Sequence, residues 1–277
     1  MTVYFNGNFI PKENVKISPD DRGFLFADGA YEVICSYHGK LFRVEDHIKR
    51  MERSLRELKI IRPERLDYRE VAEKLIQINN LIKEISLIYF QVTRGVMPRK
   101  HSFSGQKISP TVYACASPFE FPQKKIKMGA RIILVPDIRW TRCDIKSIAL
   151  LPNVLAQTEA KDKGADEAVF VRDGKITEGT HTNIFAVFNS QLQTYPSSDY
   201  ILAGITRKVI FEFAKKLQIP VKEHPITTKD LKKAEEVIIV GTTSEIMPVI
   251  RINNWKVGNG KPGPVTKKLQ QEFYEII

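Results

Sequence analysis

Two stretches of the chain have the residue types that hold a phosphate. Gly204-Ile205-Thr206-Arg207 stands where a loop becomes a helix, so the first N–H groups lack partners, the positive dipole end faces outward and Thr206 adds a hydroxyl. Gly241-Thr242-Thr243-Ser244 follows a short apolar strand, and its small side chains let backbone N–H groups approach an anion. Arg50 could add a full positive charge as a guanidinium fork. Each also reads plainly as a helix cap, a strand-end turn or a surface arginine. GxxxxGK[ST] does not occur, which removes support for nucleotide triphosphates.

Three further stretches could act on a small substrate. Cys143-Asp144-Ile145-Lys146-Ser147 precedes a helix beginning near Pro152. A lysine partly desolvated there would have a lowered pKa and a free amine, able to form an imine with a carbonyl. Spacing does not single out Lys146 among the many lysines, and a solvated lysine is the plainer reading. Thr177-Glu178-Gly179-Thr180-His181-Thr182-Asn183 places one carboxylate before small polar residues. It reads either as a turn or as a buried Glu held ionised by a cation. Pro98-Arg99-Lys100-His101 is a basic loop suited to a carboxylate, with Arg99 gripping two oxygens and His101 adding a hydrogen bond.

The elements that must position these residues follow from pattern. Val3 to Phe5 and Phe9 to Pro11 flank Asn6-Gly7, a hairpin dipeptide. Tyr31 to Tyr37 reads as a strand that turns at His38-Gly39 into Leu41 to Val44. Ile48, Met51, Leu55 and Leu58 make one helical stripe, with Arg50 at its edge. Val71 to Asn79 reads as a helix; Ile85 to Thr93 and Thr111 to Ala116 read as strands. Ser117 to Gln123, bracketed by prolines, breaks the pattern and marks a boundary. Beyond it, strands are expected at Ala130 to Pro136, Ala168 to Val171, Asn183 to Phe188 and Val237 to Val240. Helices are expected at Pro152 to Lys163 and Ile205 to Leu217. Domains are therefore set at 1–117 and 130–277, with a linker at 118–129, both of α+β type.

At 277 residues the chain has room for about two domains. Its net charge of +11 is dispersed, without a zinc-finger spacing or basic-aromatic interleaving, so no nucleic-acid partner is expected. Three scattered cysteines argue against a disulfide framework and for a reducing cytoplasm. No apolar run approaches the roughly 20 residues that cross a bilayer, and Met1 to Gly7 does not read as a signal peptide.

In this order and spacing the pieces resemble the fold-type IV pyridoxal-phosphate enzymes. That resemblance runs from Asp21-Arg22-Gly23-Phe24-Leu25-Phe26-Ala27-Asp28-Gly29-Ala30-Tyr31-Glu32 through His47-Ile48-Lys49-Arg50-Met51 to the Lys146 segment with Leu150-Leu151-Pro152-Asn153. Glu178-Gly179-Thr180 with Asn183, Gly204 to Arg207, and Thr242-Thr243-Ser244-Glu245 complete it. The implied fold is a smaller N-terminal α/β domain and a larger C-terminal mixed α/β domain with a β-barrel-like core. Within the group, the CDIKS and LLPN runs and the Arg99-x-His101 pair are similar to the D-amino-acid aminotransferases.

The resemblance implies a ping-pong transfer between D-amino acids and 2-oxoacids on pyridoxal 5'-phosphate, held by Lys146 as a Schiff base. Lys146 would shuttle the Cα proton. Glu178 would keep the ring nitrogen protonated. Arg50, Ile205, Thr206 and Thr242 would hold the phosphate, and Arg139 would bond the phenolic oxygen. Tyr31, Arg99 and His101 would fix the α-carboxylate, the last two from the neighbouring subunit of a homodimer, and Trp140 would line the pocket. Branched-chain L-amino-acid or (R)-amine aminotransferases and aminodeoxychorismate lyases are the alternatives on the same fold. His181 and Gly241 depart from the pattern, each standing where a serine is usual, and Lys100 adds charge to the trap.

Overall fold

Asn6 and Gly7 adopt positive φ and fold β1 (Thr2–Phe5) back on β2 (Asn8–Pro11), as the dipeptide predicts. The computed structural model describes residues 1–64, 66–105 and 107–277. Two units emerge: Met1–Glu120 with Ile145–Ala149, and Phe121–Asp144 with Leu150–Ile277. The 118–129 stretch read as a linker holds the end of one strand and a helix, Gln123–Met128.

The first unit has one antiparallel sheet. Its further strands are β3 (Gly29–Tyr37), β4 (Lys40–Leu41), β5 (Ile85–Thr93) and β6 (Thr111–Pro118), in the order β2-β1-β6-β5-β3-β4. The short helix α1 (Arg22–Phe26) leads into β3, while α2 (Val44–Glu57) and α3 (Tyr68–Ile78) pack on the sheet. The core joins Ile34, Ile88 and Phe90 of the sheet to Met51, Leu55 and Leu75 of the helices. The apolar pattern predicts a strand at Leu41 to Val44, but Arg43 turns left-handed at φ 53° and the helix begins at Val44. Arg43 then bonds Asp46 at 2.6 Å, a cation tied to the helix's first turn.

The second unit contains α4 (Gln123–Met128), β7 (Ala130–Pro136), α5 (Leu151–Asp162), β8 (Glu167–Arg172), β9 (Lys175–Gly179), β10 (Asn183–Phe188) and β11 (Gln191–Thr194). After these come α6 (Ile205–Lys216), β12 (Val221–Glu223), β13 (Ile226–Thr227), α7 (Thr228–Leu231), β14 (Glu236–Gly241), β15 (Glu245–Ile252), β16 (Trp255–Lys256) and α8 (Pro264–Tyr274). Strands β10-β14-β15-β7-β8-β9 form a ring that closes where Glu178 pairs with Asn183. β8, β10 and β14 are buried on both faces, which is why they read as continuous apolar runs. Helices α5, α6 and α8 cover the ring. Glu178, which could have sat in a turn, lies in β9; only 180–182 form the connection to β10.

Among the described residues no helix is long and apolar enough to cross a membrane, and no group of His, Cys, Asp and Glu could hold a metal ion. Among the described residues no disulfide joins the three cysteines.

Candidate active site

Lys146 is held in the first unit by main-chain bonds. Its carbonyl accepts from Tyr31 N at 3.0 Å, its N–H donates to Ser54 Oγ at 3.2 Å, and Ile148 N donates to Gly29 O. A five-residue excursion of chain is thereby stitched to the start of β3. The Nζ sits 4.3 Å from the centre of the Tyr31 ring and has no carboxylate partner among the described residues. A half-buried amine against an aromatic face, without an anion to neutralise it, is suited to carbonyl chemistry.

Arg50 belongs to a buried ionic group in the same unit. Glu32 Oε1 accepts from Arg50 Nε at 2.7 Å, and Glu32 Oε2 accepts from Arg50 Nη2 at 2.9 Å and from His47 Nδ1 at 2.7 Å. Burial opposes ionisation of Glu32, but Arg50 and His47 hold its carboxyl well below the usual range. Burial pushes His47 below its ordinary value against the pull of Glu32, favouring a neutral ring that donates through Nδ1. The Arg50 guanidinium is thus fixed by a two-pronged bond to a buried carboxylate.

Tyr31 lies beside Lys146 and 5.9 Å from the Tyr89 ring. Arg99 and His101 gather instead on Phe26, at 5.3 Å and 5.6 Å from its ring centre. Among the described residues no hydrogen bond or ring contact of one chain joins Tyr31 to Arg99 or His101.

In the second unit Glu178 is buried and receives three donors. Oε1 accepts from Arg139 Nη1 at 2.6 Å, and Oε2 accepts from Asn183 Nδ2 at 3.1 Å and Leu202 N at 3.0 Å. Burial still outweighs them and pushes the carboxyl up to about 7. A buried acid so poised gains from a further cation such as a protonated ring nitrogen. Arg139, given by the resemblance to a phenolic oxygen, spends donors here on Glu178, on both oxygens of Asp137 and on the Tyr200 carbonyl. Trp140 is half-exposed at the surface of this unit.

Gly204 caps α6 without a side-chain hydrogen bond, so the N–H groups of Ile205 and Thr206 begin the helix uncapped although both residues are buried. A Cβ at position 204 would stand 2.0 Å from Asn183 Oδ1, so only glycine fits. The same Asn183 touches Glu178, which links the helix start to the buried acid. Thr242 lies in the turn between β14 and β15. An anion at the α6 start and a cation at Glu178 therefore fit this unit.

The two departures turn out to be neighbours. A Cβ at Gly241 would lie 3.1 Å from the His181 carbonyl, a tight contact that the 181–182 backbone would have to relieve by a few tenths of an ångström if a serine stood there. His181 Nδ1 lies 3.0 Å from the buried Glu167, which also accepts from Ala168 N, Thr180 N, Thr180 Oγ1 and Thr182 Oγ1. Burial opposes ionisation of Glu167, but the charge and hydrogen bonds of His181 and those of Thr180 bring it below the usual range.

Glu32, His47, Glu167 and Asp137 carry no role in the sequence reading. Glu32 had a signal: it shares the inward face of β3 with Ala30 and Ile34, and a charge at such a position needs a partner. His47 precedes Arg50 by three residues on one helix face.

Residues 29–252 match the family description Amino-transferase class IV. The D-alanine aminotransferase of Staphylococcus haemolyticus is 42% identical over 99% of this chain and 97% of its own. That of Bacillus licheniformis is 37% identical over 100% and 97%. The fold is similar to the Escherichia coli branched-chain amino acid aminotransferase, with a TM-score of 0.90 at 27% identity, covering 99% of this chain and 94% of that one. The T.th. branched-chain amino acid aminotransferase with pyridoxamine 5'-phosphate gives a TM-score of 0.87 at 27% identity, covering 99% and 93%.

Proposed function

This chain belongs to the class IV aminotransferases, and from that premise we propose that it moves the amino group of a D-amino acid to a 2-oxoacid, with Lys146 as catalytic residue. The observation that carries the reading is the Lys146 amine, fixed by β3 and α2 and left without a carboxylate partner. Pyridoxal 5'-phosphate, when bound, supplies a conjugated ring that takes up the electron pair left at Cα. Lys146 Nζ would hold the cofactor through its aldehyde and would serve as the base that moves the substrate Cα proton. Glu178, its carboxylate kept in place by Arg139 and Asn183, would accept the ring N–H. Arg50, Ile205, Thr206 and Thr242 would hold the phosphate, Ile205 by its backbone N–H.

Tyr31, Arg99 and His101 fix the α-carboxylate. Docking it on the Tyr31 side aims the Cα–H of a D-amino acid at Lys146 and directs that of its mirror image away. The relatives called D-alanine aminotransferase, at 37–42% identity across nearly the whole chain, favour this enantiomer over the branched-chain reading. The working form is a homodimer in which Arg99 and His101 serve the neighbouring chain. Their gathering on Phe26, away from Tyr31, supports it. Three cysteines, odd in number and far apart in sequence, support a cytoplasmic setting.

Assays with D-alanine, L-leucine and a chiral (R)-amine, each with 2-oxoglutarate and pyruvate as acceptors, test the reading. D-Alanine turnover is expected to dominate, and Lys146→Ala is expected to abolish both turnover and the borohydride-sensitive chromophore. Preference for L-leucine, or pyruvate release without an acceptor, would overturn it.

A further inference from the structure

The Asp21 to Glu32 motif carries a second arrangement that the proposed chemistry leaves unused. Asp21 Oδ1 accepts from Gly23 N at 2.7 Å and Oδ2 accepts from Thr93 Oγ1 at 3.0 Å, which fixes α1 against the end of β5. Arg22, only 4% exposed, is thereby directed at the 97–103 loop. Its Nη1 donates to the Lys100 carbonyl at 2.5 Å and its Nη2 to the His101 carbonyl at 3.2 Å. Its Nε donates to Asp28 at 2.8 Å, and Asp28 also binds Arg94 at 2.7 Å. One guanidinium thus clips two consecutive carbonyls of an otherwise exposed loop.

The clip meets a ring from the same helix. Phe26 has the Arg22 guanidinium 4.7 Å from its centre, the Arg99 guanidinium at 5.3 Å and the His101 ring at 5.6 Å. Two cationic or polar side chains of an exposed loop so share contact with one aromatic ring. Arg99 and His101 need not be collected from many rotamers when a carboxylate arrives, and ordering such side chains costs affinity.

We propose that Arg22 and Phe26 are positioning residues for α-carboxylate recognition: they hold the 97–103 loop so that Arg99 and His101 act as one clamp. The proposal rests on the assignment of Arg99 and His101 to the substrate carboxylate. It assigns Arg22 to the loop's main chain and Phe26 to its side chains.

Steady-state kinetics of the holoenzyme with D-alanine and 2-oxoglutarate test it. Phe26→Leu is expected to raise KM for both substrates by about tenfold, with kcat changed less than about threefold, because the clamp is made in ground state and transition state alike. Retention of pyridoxal 5'-phosphate is expected to stay within about twofold of the parent, since Phe26 packs on Arg22, Arg99 and His101, none of which is assigned to the phosphate. Phe26→Tyr, which keeps the ring, is expected to restore KM. Arg22→Lys keeps the charge and loses the fork, and is expected to raise KM likewise. In the Arg99→Ala background, Phe26→Leu is expected to add less than about twofold, because contacting residues are not additive.

An unchanged KM in folded, cofactor-loaded Phe26→Leu overturns the proposal. So does a full additional effect in the Arg99→Ala background. If Arg99→Ala itself leaves KM for D-alanine unchanged, the carboxylate assignment fails first and the positioning role falls with it. Should Arg22→Lys not fold, Phe26→Leu decides alone.

Discussion

Asn183 faces Glu178 across the pairing that closes the barrel, and its amide donates to the same carboxylate at 3.1 Å. Barrel closure and the orientation of the buried acid are one event. The relation also reaches α6, because Asn183 Oδ1 occupies the space next to Gly204.

Glu178→Gln tests the cost of that buried charge. Burial pushes the carboxyl up to about 7 in the cofactor-free protein. An unfolded Glu ionises near pH 4.3, so between about pH 4.3 and 7 the folded chain binds more protons and this group's contribution falls as pH rises. The amide lacks that penalty. Thermal unfolding of cofactor-stripped protein is expected to show the variant gaining on the parent from pH 5 to pH 8, with the gap widest at pH 8. Parallel curves would remove the buried-acid argument. Turnover of the loaded variant is expected to drop by about 100-fold or more, since an amide cannot neutralise a ring cation.

Gly204→Ala tests the link between acid and helix start. At φ −66° and ψ 142° an alanine is unstrained in backbone terms, so its effect must come from contact. The new methyl meets Asn183 Oδ1 at 2.0 Å, and Asn183 cannot swing away without losing Glu178 or the Leu202 carbonyl. Cofactor affinity is expected to fall by about tenfold or more, with a changed cofactor absorption spectrum as the sign that Glu178 has moved. An unaltered spectrum and affinity would show that the two places are independent.

Much of this arrangement is legible in the sequence because it is local. β5, β7 and β10 have the bounds that their apolar runs predict, and Gly204 marks the start of α6. What pattern does not carry is long-range. Nothing in Ile145 to Ala149 announces that it leaves the second unit's sequence to pair with β3. β15 escapes the strand pattern, since Pro248 and Arg251 interrupt its apolar run. Ion pairs such as Glu32 with Arg50 join residues 18 apart in sequence, where no spacing rule applies. The same holds for Arg22 and the 97–103 loop, visible only once β3 and β5 lie side by side.

Glu32→Gln tests whether Arg50 is aimed by its partner. The Glu32 carboxyl is held below its ordinary range, so its stabilisation is complete above about pH 4.3 and is lost as pH falls through the folded value. At neutral pH, removing one member of such a buried pair costs about 3–5 kcal/mol, read as a lower unfolding temperature. If Arg50 holds phosphate, the variant should also release pyridoxal 5'-phosphate faster than the parent. Pyridoxal, which lacks the phosphate, is expected to bind both proteins alike. Equal retention of the phosphorylated form by both would break the tie between Glu32 and the phosphate.

His181→Ser separates the exposed half of an ion pair from its buried half. The His181 side chain is 44% exposed whereas that of Glu167 is 2% exposed, and Glu167 keeps its bonds from Ala168, Thr180 and Thr182 when the imidazole goes. At pH 7 the loss is therefore expected to stay under about 1 kcal/mol and to shrink in 1 M salt, as for a solvent-screened pair. At acid pH the two proteins should diverge. Glu167 is held below its ordinary range in part by the His181 charge, so its stabilisation persists above about pH 4.3 and is lost as pH falls. Without that charge the folded pKa rises and the loss begins at higher pH. The midpoint of acid unfolding, followed by circular dichroism, is expected to move upward in His181→Ser. Glu167→Gln, which removes the acceptor that fixes 180–182, is expected to cost more at pH 7 than His181→Ser does. The reverse order would mean that the turn is held by the imidazole and not by the carboxylate beneath it.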